Sequence, residues 1–120
     1  MAAIAKVELT FDGITVSDFK SIAEHEIEVG KEVEYASKSG FVEIPPKYGF
    51  TLEYVEPKTG AFDFAKYAKS EGTVVIHYDG GTTATYYGVR LLKKGEKKGD
   101  GRNEIVYPYT FTATRRDPVL

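Results

Sequence analysis

Five glutamates, Glu24, Glu26, Glu28, Glu32 and Glu34, recur at even positions of AEHEIEVGKEVEY, residues 23–35. Carboxylates this close perform acid–base chemistry when an apolar pocket lifts the pKa of one of them. Nothing in the pattern separates one glutamate from the next, and all five read as solvated. They form one edge of a strand whose other edge carries Ala23, His25, Ile27, Val29, Val33 and Tyr35. His25 therefore points away from Glu24 and Glu26, which argues for a half-buried strand residue and against a histidine–carboxylate metal site. His77 shares a parity with Asp79, yet neither histidine has a relay context, and the serines at 17, 21, 37, 39 and 70 sit in no nucleophile elbow. Gly80-Gly81 and Gly99-Asp100-Gly101 lack the lysine, hydroxyl and following helix of a phosphate loop. No enzymatic activity, cofactor or metal is expected. What remains is a file of like charges that repels itself. It reads either as an ordinary solvent face of an antiparallel sheet or as a functional surface.

The 120 residues make one domain, 1–120, long enough to bury about two-thirds of the unfolded surface. Hydrophobic residues at 42% and charged residues at 28% place the chain among ordered globular proteins, and a net charge of -2 does not suit a general nucleic-acid binder. Without cysteine there are no disulfides or thiolate metal sites. The first residues lack a signal-peptide pattern and no apolar run is long enough to span a bilayer, so the chain is expected to stay in the cytosol where it is made. Nine tyrosines and seven phenylalanines fall mostly in strand-like segments and are expected in the core. The basic run KKGEKK, 93–98, reads as a solvated tip more readily than as a nucleic-acid contact. Tyr86 and Tyr87 beside Arg90 are the best candidates for a stacking surface, with at least one of them in the core.

These residues must be positioned by strands. Asp12-Gly13 between alternating runs predicts an opening hairpin over 4–19. The glutamate strand should run from 21 to 36, where Ser37-Lys38-Ser39-Gly40 breaks it, and Pro45-Pro46 blocks a central strand. A strand at 49–55 follows a loop of about twelve residues. Ala61, Phe64, Ala65 and Ala68 predict a helix over 61–71, stopped by Gly72. Strands at 73–78 and 82–92 are joined by Asp79-Gly80-Gly81, and a charged connection over 93–103 leads to a last strand at 105–113. Pro108 marks that strand as an edge or a bulge. The fold expected is mainly β: an antiparallel β-sandwich or barrel of about seven strands with one flanking α-helix.

The order KVELTFDGITVSDFKSI, acidic alternating strand, glycine-containing loop, KYGFTLEY, FDFAKYAKSEG and NEIVYPYTFTATRRDPV resembles the tail tube proteins of contractile-tailed bacteriophages and related phage-like particles. The resemblance covers nearly the whole chain and rests on pattern and order. It implies a structural virion protein whose hexameric rings stack into a tail tube around a lumen that conducts DNA. Glu24, Glu26, Glu28, Glu32 and Glu34 become lumen-lining candidates, because a carboxylate wall repels phosphates instead of holding them. The loop 37–49, with Lys38, Phe41, Glu43 and Lys47, would reach the neighbouring ring, unless the acids themselves make ring-to-ring contacts with Lys38, Lys47 or Lys93. The implied partners are further copies of the chain, a sheath contacting helix 61–71, and baseplate proteins. No membrane is implied, and the location would be the virion tail, assembled in the host bacterial cytoplasm. Two alternatives stand beside it. One is a monomeric β-sandwich module binding a glycan or another ligand through tyrosines such as Tyr86 and Tyr87. The other is a related tail part: a terminator, a hub, a baseplate adaptor or a secretion-system tube.

Overall fold

A computed structural model describes residues 7–34, 39–57, 60–99 and 105–120. Its strands are β1 (Val7–Phe11), β2 (Ile14–Val16), β3 (Phe19–Glu24), β4 (Gly30–Glu34), β5 (Ser39–Glu43), β6 (Tyr48–Val55), β7 (Gly72–Tyr78), β8 (Thr83–Lys94), β9 (Lys98–Gly99), β10 (Ile105–Ala113) and β11 (Arg115–Asp117). The single helix among the described residues, α1 (Lys66–Lys69), has four residues, far shorter than the helix expected over 61–71. The reason is packing. Phe62, Phe64 and Tyr67 all reach the aromatic core, and an irregular backbone aims three rings inward where a regular helix would spread them around its axis.

All pairings are antiparallel, and the main sheet runs β2-β1-β7-β8-β10-β6-β3, with β11 beside β8 and β9 beside β10. The opening hairpin turns at Asp12 (φ 49) and Gly13 (φ 83), as the Asp-Gly pair requires. The long strand β8 belongs to two leaves. Its first half pairs with β7 and β11, and its second half with β10. Between the halves the chain bends at Gly88, whose φ of +64 favours glycine and whose missing Cβ makes room for Thr114. A bulge against Thr73 lies at the same place, since Tyr86 pairs with Val74 and Val89 with Gly72.

The bend folds the sheet on itself into a sandwich. Phe11 of one leaf meets Phe111 of the other at 5.6 Å, and Phe50 stacks on Phe111 at 5.0 Å. Leu9, Phe11, Phe50, Leu52, Val74, Ile76 and Val89 are fully buried in this core. The barrel alternative is excluded, because β2 and β3 close no ladder with each other. Only Ser17 and Asp18 separate these strands in sequence, yet they are the two ends of the sheet. An open groove of about 810 Å³ runs along this seam, lined by Val16, Phe19, Lys20 and Ile22 among others. Strands β4 and β5 form a separate two-stranded arm, with Glu32 opposite Phe41 and Gly30 opposite Glu43. The molecule measures 61 × 41 × 30 Å.

Candidate functional site

The glutamates at 24–34 do not lie on one strand. β3 stops at Glu24, residues 25–29 belong to no ladder, and β4 starts at Gly30. The expected strand over 21–36 fails because its partner ends. Glu24 pairs with Phe50, His25 N–H donates to Gly49 O at 2.9 Å, and β6 begins at Tyr48, directly after Pro45, Pro46 and Lys47. Alternation in a sequence reports a period of two and carries no information about the neighbouring strand.

The faces also differ from expectation at the start of this segment. Ile22 packs on the core and Glu24, two residues on, shares its side of β3, while Ala23 and His25 are exposed. Glu24 therefore points between the leaves and is half-buried. Tyr78 of β7 and Tyr86 of β8 each donate a hydroxyl to its carboxylate at 2.5 Å, Tyr78 to Oε2 and Tyr86 to Oε1. Arg116 of β11 donates Nε to Oε1 at 3.1 Å, with Nη2 3.0 Å from the same oxygen. Arg116 also reaches the Tyr86 hydroxyl at 3.2 Å and donates Nη1 to Pro118 O at 2.6 Å. Burial alone would raise the Glu24 pKa, but the bonds from Tyr78, Tyr86 and Arg116, with the guanidinium charge, outweigh it and hold the carboxyl below its ordinary value. Burial, reinforced by the bond to Glu24, pushes both phenols well above theirs.

The other four glutamates are exposed: Glu26 and Glu28 in the 25–29 connection, Glu32 and Glu34 on β4. Cross-strand register puts Gly30, Glu32 and Glu34 on one face of the arm with Phe41 and Glu43. Phe41 lies over Gly30, where any Cβ would collide with its ring, and is 70% exposed. The expected loop 37–49 is in part this arm, since Ser39–Glu43 is strand β5 and Tyr48 and Gly49 open β6. Lys38 and Tyr35 lie outside the described residues. Lys47 is exposed and joins Glu26, Glu28, Ile44 and Pro45 around a shallow cavity of about 400 Å³ at the base of the arm.

His25 is exposed, not the half-buried strand residue expected, and its Nε2 meets Thr51 Oγ1 at 2.7 Å, a brace between the end of β3 and β6. His77 is exposed on β7, opposite Glu8 and Thr83. Among the described residues no cluster of three His, Asp or Glu side chains is placed to hold a metal. Tyr86 is 1% exposed and belongs to the core, whereas Tyr87 is half-buried beneath the Arg115 guanidinium, 4.1 Å away. Arg90 donates to Ala68 O. In the basic run, Lys94 lies 4.0 Å over the Tyr107 ring and Lys97 is 3.9 Å from Glu56, so both engage their own chain. Sequence reasoning missed two polar centres. Nothing in the sequence singles out Arg116, and no local pattern ties it to Glu24. Asp12 is more than a turn residue: it accepts from Tyr67 Oη at 2.5 Å and from Thr73 N–H at 2.8 Å. The parity shared by Ile22 and Glu24 was the available signal for the first centre.

No protein-family model and no curated protein matches the chain. Solved structures do. A chain of the sheath/tube terminator of an extracellular contractile injection system, PVC, in its extended state overlays with a TM-score of 0.71 at 14% identity, over 92% of this chain and 91% of that one. A chain of the anti-feeding prophage cap, the AFP tube terminating cap, gives 0.69 at 13% identity, over 92% and 85%. A chain of the PVC sheath–tube complex, also extended, gives 0.68 at 14% identity, over 92% and 86%. At these identities the likeness is one of fold. The chain therefore shares its fold with chains found in these contractile particles. Among the described residues no helix is long and apolar enough to cross a membrane.

Proposed function

We propose that this chain is a structural subunit of a contractile tail or injection particle, joining copies of itself into rings, six to a ring on the family pattern, that stack as the tube. The observation that carries this reading is that, among the described residues, the sheet edges β2 and β3 are unfilled and the arm beside them pairs only with itself. Soluble monomers blunt or cover such edges, and ring closure disposes of them by pairing. A two-stranded hairpin is marginal alone and gains stability from a surface to lie on. The fold shared with chains of a sheath–tube complex and of two tube ends supports the same reading.

On this reading the arm, through Phe41 and Glu43, and Lys47 at its base contact the next ring, and the segment around α1 meets a sheath. The exposed carboxylates Glu26 and Glu28 face the lumen, with Glu24 marking where the chain enters it, while Glu32 and Glu34 share the arm face of Phe41 and Glu43 and lie at the ring-to-ring contact. The lumen carboxylates keep a passing DNA duplex from sticking, because they offer no cation to displace its counterions. The particle's location is the tail, after assembly in a bacterial cytoplasm, with sheath and baseplate proteins as partners. A terminator at the end of the tube is the second reading, supported by the fold shared with chains of the PVC terminator and of the AFP tube terminating cap. Negative-stain microscopy of the purified chain at increasing concentration separates the two. Stacked hollow tubes are expected for a tube subunit and isolated rings for a terminator, while a chain that stays monomeric at millimolar concentration contradicts both. Changing Glu26 and Glu28 together to lysine should make tubes retain duplex DNA at low salt. Tubes that retain none would remove the lumen assignment.

A further inference from the structure

We propose that the Glu24 network is a latch that fixes the direction in which the arm leaves the sandwich, which makes Glu24, Tyr86 and Arg116 positioning residues for self-association. The proposal rests on the tube reading and names what that reading needs: an arm held at a defined angle. Glu24 is the last residue of β3, and the arm begins at Gly30 after the connection 25–29, which joins no strand ladder. The three groups that grip its carboxylate come from β7, β8 and β11, all in the leaf opposite β3. The latch therefore ties the end of one leaf to the other at the point where the chain departs.

Beyond the latch the connection is pinned in sequence. His25 binds Gly49 O through its backbone and Thr51 Oγ1 through its ring, Ile27 packs on the core, and Ile44 N–H donates to Val29 O at 3.2 Å. Neither β4 nor β5 pairs with any other described strand. Orientation of the arm is consequently set at this root. Gly49 tightens it further, because a Cβ there would press on both His25 and the Phe111 carbonyl. Arg116 closes the latch from the far end of the sequence and holds its own Pro118 carbonyl, so the last strand takes part in aiming a hairpin that lies far earlier in the chain.

The test uses the full chain as a dilute monomer. Amide hydrogen exchange over 30–34 and 39–43 is compared in the wild type, Glu24→Gln, Tyr78→Phe and, as a control outside the latch, Glu96→Gln. Exchange in the arm should quicken by about tenfold in Glu24→Gln, by less in Tyr78→Phe and not at all in Glu96→Gln, while β7 and β10 keep their protection. The concentration at which copies join, read by sedimentation, should rise in the same order. Latch variants that fold, exchange their arms at the wild-type rate and associate at the wild-type concentration overturn the proposal. Should Glu24→Gln not fold, Tyr78→Phe, which keeps the carboxylate–guanidinium pair, decides by the same two outcomes. A wild type that never associates counts against the tube reading alone, because arm exchange is measured on the monomer.

Discussion

Placing a carboxylate between two phenols and a guanidinium removes water from all of them together, so each depends on the others remaining. Glu24 is 23% exposed and Arg116 11%, which puts the pair between a surface ion pair of little worth and a buried one whose loss leaves a charge stranded. Glu24→Gln should therefore cost about 2 kcal/mol at neutral pH. The pH dependence has a definite sign. Because the folded carboxyl is held below its unfolded value, its contribution is complete above about pH 4.3 and is lost as the pH falls through the lower folded value. Urea midpoints of wild type and Glu24→Gln should converge on acidification from pH 5 downward. A gap between them that stays constant into strong acid would show that the charge contributes nothing.

The strands were legible wherever a turn announced them. Asp12-Gly13 and Asp79-Gly80-Gly81 produced the two hairpins expected, and 105–113 is strand β10 with Tyr107, Phe111 and Ala113 buried on one side. Legibility failed where an element depends on a partner elsewhere. The glutamate strand ends for want of a partner beyond Gly49, and the arm arises because 30–34 finds 39–43 in its place. Gly88 is another case, a glycine inside an apparently regular strand that turns out to be the corner of the sandwich. Gly88→Ala should cost about 2 kcal/mol, from the left-handed backbone and the clash with Thr114, measured by denaturant unfolding. Gly99→Ala has an ordinary neighbour distance of 3.4 Å to Ile105 and should change stability little. Equal losses at the two positions would mean that the corner is not the source of the effect.

For the molecule as a whole, composition and strand count led to a mainly β fold, and the order of segments led to a tail-tube-like one. The core was legible as aromatic, since Phe11, Phe50, Phe64, Tyr67, Tyr86 and Phe111 fill it. The candidate surface was half legible. Four of the five glutamates are exposed as expected, but the fifth turns inward, because it shares the core side of Ile22 on β3 and the alternation changes phase once that strand ends, Ile27 taking the core side in its turn. The seam between β2 and β3 bears on how the chain acquires its structure in time. Two strands that follow one another across Ser17 and Asp18 each wait for distant mates: β1 carries β2 to β7, where Val7 pairs with Tyr78, while β3 joins β6. Such non-local pairing slows folding, and a half-time between about a millisecond and a second is expected. The β7–β8 hairpin, joined by a short turn, should form ahead of the rest. Stopped-flow tyrosine fluorescence, convenient in a chain without tryptophan, measures the rate, and refolding within microseconds would refute this order. Until β7 arrives, the amino-terminal hairpin offers an unsatisfied backbone to every other nascent chain, so the yield of native protein should fall as refolding concentration rises.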